Sequence, residues 1–427
     1  MTPIRLAATA PLGIDEVRES VDYLVREFGV NQAEALRRLE LQRLAPALDE
    51  QLSDAFPGSY GGMWLDQAGG GTLVVNATSQ REISDALRGV PERDHIRIAP
   101  VVHTKQSLDA DVQTINETYG EIATVDEVTN RVVVHPSTVQ ALRDNAAHPK
   151  RRDRTVPPGV SRLPAAPTAL TDGLASALSP LTATGRVEVE RTAPPATYDN
   201  CTIDSCPPPM RGGTRIQVWD ALSGGSWIST CTNGFNVNGS NGWQYTITAG
   251  HCLDAYNENY TRHYSRWVGD YDYWTFVGAS YPWDGIILPY VVSGGVNYAE
   301  YWLSGQPKNR VFFVGKTSLY PISGSYTYEQ IGVGWVTCMT GSISRTTRCG
   351  SVVAKDNGIV TNICAVHGDS GGPVFSQVDN RAYAIHNRDT TSDNTCPSGY
   401  RSYNSALSKL FSSAANHSGI SFRVNTA

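Results

Sequence analysis

A serine enclosed by glycines near the C-terminus is the strongest chemical signal in the sequence. Ser370 lies in segment 368–373, which reads Gly-Asp-Ser-Gly-Gly-Pro. Glycines on both sides let the backbone turn sharply and expose the hydroxyl, and the NH groups of Gly368 and Ser370 can point at one spot where an oxyanion forms. Such a segment alone would be an ordinary turn. The prediction of a nucleophile therefore depends on partners elsewhere in the chain.

A histidine and an aspartate earlier in the chain supply those partners. His251 is surrounded by small residues that let an imidazole project into a cleft, and Cys252 beside it could staple the loop. Asp284 precedes the apolar residues 286–288. A carboxylate that enters a buried strand is costly unless it is paired, so a histidine partner gives it a physical reason. A turn aspartate after Pro282 is the alternative.

The elements that must position these side chains begin with helices. Apolar residues at helical spacing predict a helix from Asp15 to Phe28, with Gly29 as a left-handed stop. Asn31 and Glu34 then form a capping-box start for a second helix, kinked near Pro46. This second helix carries a leucine stripe made of Leu36, Leu39, Leu44, Leu48 and Leu52.

Strand signals follow the helices. Segments 62–65 and 72–76 flank the turn-rich residues 67–71 and predict a β-hairpin, and residues 131–134 form the last clear strand of this half. We therefore expect an α+β region over residues 1–145. Residues 146–200 are rich in Pro, Ala, Thr and Arg and predict an exposed linker accessible to proteases.

The residue pattern changes again in residues 201–427. Short strands alternate with closely spaced turn signals, for example at 223–225 and 238–242, which is typical of an all-β sandwich or barrel. Only residues 405–415 look helical.

Composition excludes several function classes. The chain has 427 residues, which favours at least two domains, and a formal net charge of -6. It offers no Lys/Arg-rich stripe to neutralise phosphates, so we expect no nucleic-acid partner; the basic run 150–154 is interpreted as solvated linker. No stretch reaches the roughly 18 apolar residues of a membrane span, so we expect no membrane partner either.

The cysteines lie in the second half only, and their number is even, which suggests disulfides and an oxidising, extracellular compartment. They are Cys201, Cys206, Cys231, Cys252, Cys338, Cys349, Cys364 and Cys396. No paired cluster at zinc-ligand spacing occurs, so no metal is predicted. Residues 1–14 do not resemble a signal peptide; we expect the export signal to have been removed or to lie upstream.

Taken together, these motifs define a resemblance. The order His, Asp, Ser along the chain is that of chymotrypsin-like enzymes. The sequence resembles the bacterial chymotrypsin-fold peptidases of the streptogrisin and α-lytic protease group over nearly all its length. In the second half the resemblance rests on segments 211–213, 231–235, 248–252, 284–286, 338–349 and 368–373. In the first half, residues 31–56 and 60–75 look like the pro-region of that family.

The resemblance implies a fold and a domain plan. Residues 1–145 would be an α+β pro-region that assists folding and then inhibits, and residues 201–427 an all-β chymotrypsin-like double β-barrel with the triad between two six-stranded barrels. A double barrel has many non-local contacts and folds slowly, so a folding template is useful. The implied disulfides are Cys231–Cys252, Cys338–Cys349 and Cys364–Cys396, which leaves Cys201–Cys206 as an extra pair.

These expectations combine into a mechanism. Ser370 would attack a peptide carbonyl, His251 would take its proton and later protonate the leaving amine, and Asp284 would orient and support His251. The NH groups of Gly368 and Ser370 would hold the oxyanion. Protein or peptide substrates and the chain's own pro-region are the expected partners, and no cofactor is required.

The specificity pocket is expected around the residues before Ser370 and in segment 384–389. The first set comprises Asn362, Ile363, Ala365 and Val366. By similarity, the acidic residue of trypsin-like enzymes falls near Asn362, so Lys or Arg at P1 is disfavoured. His386 matches a histidine that helps glutamate-selective relatives bind the substrate carboxylate, and Arg388 could add positive charge. A structural histidine and a preference for large apolar P1 residues are the alternatives.

Two places depart from the family pattern. Asn387, Arg388 and Asp389 stand where relatives commonly show Ser-Gly-Gly, which puts bulk and charge where substrate backbone normally pairs. Met339 stands where relatives often have an arginine that pairs with the aspartate before the nucleophile. Asp369 must then use Arg345, Arg348 or backbone NH groups.

Three rival functions remain open at this point. A binding protein built on an inactivated protease fold would require a damaged triad, whereas all three members are present. Residues 1–145 could be an independent inhibitor rather than a folding aid. An esterase could use the same triad, although chain order and cysteine framework favour amide substrates.

Overall fold

The described part of the chain covers most of both predicted regions. The structure, a computed structural model, describes residues 4, 6, 10–119, 123–134, 202–206, 210–220, 226–253, 259–263, 266–270, 275–290, 310–315, 319–390 and 395–426. The predicted linker 146–200 and Cys201 lie outside these residues.

The three helices predicted from the sequence lie close to their expected positions, and the described residues contain two further helices. Together they are α1 (Arg18–Phe28), α2 (Gln32–Ala55), α3 (Gln80–Ala86), α4 (Lys105–Tyr119) and α5 (Leu407–Ser418). Gly29 ends α1 in the left-handed conformation, at φ 66°. The Asn31 side chain accepts a hydrogen bond from the Glu34 NH at the start of α2. The predicted capping signals therefore set both helix boundaries, and α2 runs on through Pro46.

The first region is α+β, as expected. Its strands are β1 (Tyr60–Asp66), β2 (Thr72–Ala77), β3 (Ile96–Pro100), β4 (Ala123–Asp126) and β5 (Arg131–Val134). β1 and β2 form the predicted antiparallel hairpin, and β3 joins β2 in parallel. β4 pairs with β5 in a separate two-stranded sheet.

The second region is built almost entirely of strands. They are β6 (Arg215–Asp220), β7 (Ser226–Thr232), β8 (Asn236–Gly239), β9 (Gln244–Thr248), β10 (Tyr260–His263), β11 (Arg266–Asp270), β12 (Phe276–Gly278), β13 (Gly285–Pro289), β14 (Arg310–Val311), β15 (Tyr320–Pro321), β16 (Gly324–Ser325), β17 (Val336–Gly341), β18 (Thr346–Lys355), β19 (Ile359–Thr361), β20 (Pro373–Phe375), β21 (Arg381–Asp389), β22 (Ser402–Ala406) and β23 (Phe422–Val424). This confirms the all-β prediction for the second half.

Six of these strands close into a barrel. The ladder runs β21, β20, β17, β18, β19, β22, and the pairing of β22 with β21 completes the circle. Closure leaves no free edge among these strands, which removes a template for unwanted pairing. The earlier strands pair, within the described residues, as two sheets, β11-β10-β6-β7 and β12-β13-β9-β8-β23. In the part of the chain that the structure describes, one closed six-stranded barrel is therefore observed where two were expected.

The first region packs against the closed barrel and shares its hydrophobic core. Leu48 and Leu52 of α2 belong to the same buried cluster as Trp335, Met339 and Ala384 of the barrel. Burying one leucine completely contributes about 1.5–3 kcal/mol. The contact between the two regions is therefore a hydrophobic interface of the kind that holds a domain together.

Three disulfides lie in the described part of the second region. They join Cys231 to Cys252, Cys338 to Cys349, and Cys364 to Cys396. These are the three pairs that the family resemblance implies. In the described residues, no helix is both long and apolar enough to cross a membrane.

Candidate active site

His251 is placed by a tight turn at the end of a buried strand. It lies in a single 3-10 turn, Gly250–Cys252, directly after β9. A Cβ on Gly250 would lie 1.8 Å from the Gly278 carbonyl oxygen, so only glycine fits there. The Cys231–Cys252 disulfide ties the turn to β7. The position of the imidazole is thus fixed by residues on both sides of it.

Asp284 fixes the imidazole through two hydrogen bonds. Its Oδ2 lies 2.6 Å from His251 Nδ1, and its Oδ1 accepts the His251 backbone NH at 2.9 Å. The Asp284 side chain is only 5% exposed, whereas that of His251 is 37% exposed. An Nδ1–H donated to the carboxylate leaves Nε2 free to accept a proton.

The same pair sets the charge state of the histidine. Burial acts to lower the pKa of His251, but the hydrogen bond and the negative charge of Asp284 outweigh burial and raise that pKa above its ordinary value. An imidazole that gains affinity for a proton beside a buried carboxylate is suited to act as a general base.

The Ser370 loop is shaped by glycines in the left-handed region. Gly368 and Gly371 have φ values of 91° and 86°. The Ser370 carbonyl accepts the Thr232 NH at 2.8 Å, and the Gly371 NH donates to the His386 carbonyl at 2.7 Å. A Cβ on Gly371 would lie 2.1 Å from Thr248 Oγ1, at the end of the strand that leads to His251. The loop therefore packs directly against the segment that carries the histidine.

Two NH groups of this loop take no part in the hydrogen bonds of the described residues. The Asp369 NH donates to the Val366 carbonyl, and the Gly371 NH is used as described above. Within the described residues, the NH groups of Gly368 and Ser370 have no hydrogen-bond acceptor. Paired, unused NH groups beside a hydroxyl are what oxyanion binding needs.

Asp369 is satisfied by backbone NH groups. Its carboxylate accepts hydrogen bonds from the NH groups of Ile343, Ser344 and Val366 at 2.9–3.2 Å. The two arginine alternatives have other partners: Arg345 binds Asp204, and Arg348 donates to the Cys364 carbonyl. Met339, which replaces the family arginine, is 2% exposed within the shared core. Of the three partners that the sequence leaves open for Asp369, the structure therefore shows the backbone NH groups.

Asn387 connects the Ser370 loop with the segment that carries Asp284, which the sequence does not indicate. Its carbonyl accepts the Ser370 hydroxyl at 3.1 Å, and its side-chain Nδ2 donates to the Asp284 carbonyl at 2.8 Å. Ser405 Oγ donates to its Oδ1 at 2.7 Å. The sequence predicts Asn387 only as substrate-binding, because nothing in it shows that the side chain turns inward.

The other predicted specificity residues fall into two groups. Ile363 and His386 are both 1% exposed, and His386 Nδ1 lies 3.0 Å from Ser402 Oγ. Burial lowers the pKa of His386. The Asn362 side chain instead accepts the Ser351 NH and donates to the Tyr23 hydroxyl of α1. Asn362 thus lies at the contact between the two regions.

One group of potential metal ligands occurs among the described residues, namely Cys231, His251 and Cys252. Its two sulfur atoms are bonded to each other, so they cannot act as thiolate ligands. Its histidine is the partner of Asp284.

Comparisons with known proteins match this chain to serine proteases and to the pro-region of such proteases. Residues 33–88, which span α2 to α3, match the family described as Alpha-lytic protease pro N-terminal. The chain is 24% identical over 405 residues to Serine protease 1 of Rarobacter faecitabidus, covering 90% of this chain and 62% of that protein. It therefore spans less than two thirds of the length of this curated relative.

Solved structures of three proteases also match, each over about half of this chain and 98% of the other. They are Nocardiopsis protease (18% identity, TM-score 0.36), Thermobifida fusca protease A (18%, 0.34) and Cellulomonas bogoriensis chymotrypsin (23%, 0.35). On the pro-region match and the curated relative, this chain is similar to α-lytic-type serine proteases that carry an N-terminal pro-region, as its sequence motifs predict.

Proposed function

We propose that the chain is the zymogen of a secreted serine endopeptidase with His251, Asp284 and Ser370 as its triad. The observation that carries the proposal is the buried Asp284 carboxylate on His251 Nδ1, in a turn that packs against the Ser370 loop. The disulfides support an extracellular location. The presence of all three proposed triad residues also counts against a binding protein on an inactivated protease fold.

The reaction follows from the protonation states. Ser370 Oγ attacks the peptide carbonyl while His251 Nε2 takes its proton, and the oxyanion is held by the NH groups of Gly368 and Ser370. The imidazolium, stabilised by Asp284, then protonates the leaving amine, which gives an acyl-enzyme on Ser370. Water activated by His251 hydrolyses that ester and restores the hydroxyl.

Residues 1–145 act as folding aid and inhibitor in this proposal, residues 146–200 contain or adjoin the maturation site, and residues 201–427 are the peptidase. The contacts that support it lie on the closed barrel. Gln42 Nε2 donates to the Val336 carbonyl at 3.0 Å, and its Oε1 accepts the Val336 NH at 2.6 Å. Lys355 binds Glu127 at 3.0 Å, with side chains 3% and 12% exposed.

The folding role predicts a dependence on the first region. Denatured residues 201–427 should regain activity when residues 1–145 are added and remain inactive without them, because the barrel needs a template for its non-local pairing. With Gln42→Ala in the added region, inhibition of the mature enzyme should weaken, and the inhibition constant should rise by roughly 10–100-fold. The reason is that the buried NH and carbonyl groups of Val336 lose their hydrogen-bond partners, which costs about 1–3 kcal/mol of binding free energy. Refolding yield and inhibition are both read from peptide hydrolysis.

A matched control lies on the same helix. Gln32 is exposed at the start of α2, so Gln32→Ala should leave both readouts unchanged. Efficient unaided refolding would show that residues 1–145 are an inhibitor only, which is the rival interpretation of this region.

We propose an acidic P1 preference, with large apolar residues as the alternative and Lys or Arg disfavoured. Within the described residues, His386 Nε2 has no hydrogen-bond partner, whereas Nδ1 is held by Ser402 and Asn404. Nε2 is therefore the ring atom available to a substrate carboxylate. The apolar alternative rests on Ile363, which is buried.

Cleavage of a peptide library by the matured enzyme tests both activity and preference. We expect Glu at P1 to be enriched roughly tenfold or more over Gln, because a hydrogen bond to a charged group contributes about 1.5–3 kcal/mol. His386→Leu should remove that enrichment and leave apolar P1 residues cleaved. Enrichment of Phe or Leu alone would remove the histidine hypothesis, and no cleavage of any peptide would contradict the proposed activity.

A further inference from the structure

Arg388 is a cation that the fold anchors beside the active site. Its guanidinium carbon lies 5.0 Å from the ring centroid of Tyr403 and 5.4 Å from that of Tyr281. The two rings meet edge to face, with centroids 5.2 Å apart. A guanidinium is attracted to the face of an aromatic ring, and this attraction restricts the side chain to one region. The guanidinium charge is therefore held at a defined position.

A β-bulge explains why this arginine faces outward. In the pairing of β21 with β22, His386 lies opposite Asn404 and Arg388 lies opposite Tyr403, so Asn387 has no residue opposite it. Bulges of this kind re-aim side chains and are common next to active sites. Asn387 is turned into the interior, where it is 2% exposed, and Arg388 is exposed.

The charge of Arg388 is not matched by any acid in the described part of the chain. No carboxylate there lies within 4.0 Å of it and no hydrogen bond uses its donors, while two nearby acids are engaged elsewhere. Asp356 accepts the Tyr281 hydroxyl, and Asp389 has an interaction of its own. A guanidinium presents planar, paired donors that match a carboxylate, so this cation is prepared to bind one.

The position of Arg388 points to the substrate's acyl side. It directly follows Asn387, whose carbonyl accepts the Ser370 hydroxyl, and Tyr281 lies three residues before Asp284. The strand edge at residues 387–389 is where substrate backbone is expected to pair. Side chains of a peptide paired there would pass the guanidinium on the N-terminal side of the cleaved bond.

We infer that Arg388, Tyr281 and Tyr403 form a subsite that binds an acidic side chain at P2, P3 or P4 of the substrate. This inference rests on the proposed peptidase function and concerns a site distinct from the P1 pocket of His386. The tyrosine rings position the guanidinium and provide an apolar surface for the methylene groups of Glu.

The test uses enzyme matured from the full chain and fluorogenic peptides with one constant P1 residue. Glu or Gln is placed at P2, P3 and P4 in turn, and kcat/KM is compared within each pair. We expect Glu to exceed Gln by roughly five- to tenfold at one of the three positions, with the ratio falling in 0.5 M NaCl because an exposed charge pair is screened. Equal rates for Glu and Gln at all three positions would overturn the inference.

Variants assign the effect to the guanidinium. Arg388→Gln should remove the Glu preference, so that the Glu and Gln peptides of each pair are cleaved with equal kcat/KM, and Arg388→Lys should keep part of the preference. Arg423 is exposed on β23, and Arg423→Gln alters the net charge equally, so it should leave the preference unchanged. A Glu preference that persists in Arg388→Gln also overturns the inference.

Failure of the subsite and failure of the proposed function give different results. An enzyme that cleaves the peptides without preferring Glu at P2–P4 contradicts the subsite only. A matured chain that cleaves none of the peptides contradicts the peptidase function. If Arg388→Gln does not fold, the comparison of Glu with Gln in the unmodified enzyme still decides the matter.

Discussion

The Ser370→Ala variant is expected to lose about 10⁶-fold in kcat on the best peptide substrate. In the proposed mechanism Ser370 forms the acyl-enzyme, and loss of the nucleophile in a serine-protease triad typically costs about as much as loss of the whole triad. A residual acceleration should remain, because the NH groups of Gly368 and Ser370 still stabilise an oxyanion. The variant is matured by added wild-type enzyme and assayed after that enzyme has been removed and its residual activity subtracted.

A serine outside the site provides the control. Ser412 lies exposed on α5, where its hydroxyl donates to the Ser408 carbonyl, so Ser412→Ala should keep the wild-type rate. A serine-reactive fluorophosphonate should label the wild type on Ser370 and leave Ser370→Ala unlabelled. If the Ser370→Ala enzyme cleaved peptides at the wild-type rate, the triad assignment would be wrong.

Much of the fold could be predicted because its signals are local. Gly29, Asn31 and Glu34 act within one turn of helix, and the glycine-rich turn 67–71 joins strands that pair directly. The same is true of the Ser370 loop, where flanking glycines adopt positive φ. These features depend only on residues that are neighbours in the chain, so they can be predicted from the sequence.

The parts that could not be predicted depend on contacts between distant segments. Asp369 takes its hydrogen bonds from the backbone of residues 343 and 344, and any residue type there can supply an NH. The inward turn of Asn387 depends on a bulge, which is set by pairing with β22. Such contacts follow from tertiary structure and leave no mark on residue type or spacing.

The shared core adds a physical reason for one departure from the family pattern. An arginine at position 339 would bring a charge into the cluster that α2 forms with the barrel, and burying an unpaired charge is costly. With Met339, the barrel offers the first region an apolar surface, while Asp369 is satisfied by the backbone. The two features are therefore linked: position 339 carries an apolar residue, and the Asp369 carboxylate takes its hydrogen bonds from backbone NH groups.

The Asp284→Asn variant is expected to lose roughly 10⁴-fold in kcat/KM while its backbone stays in place. Asparagine can still accept the His251 backbone NH through Oδ1, but its Nδ2 then faces Nδ1 and donates where the carboxylate accepted. That reversal fixes the proton on Nε2, so the imidazole cannot take the proton of Ser370. Asp204 lies outside the triad in surface ion pairs with Arg215 and Arg345, so Asp204→Asn should retain most of the activity.

The pH profile separates this effect from a loss of structure. In the wild type, kcat/KM should rise with pH as His251 loses its proton, with the midpoint above the ordinary histidine pKa, because Asp284 raises that pKa against the opposing effect of burial. Without the carboxylate, burial alone remains and the pKa falls, so the midpoint of the residual activity should move to lower pH. Asp204→Asn should leave the midpoint where it is. A midpoint that stays unchanged in Asp284→Asn would mean that Asp284 does not set the charge of His251 and that another group orients the base.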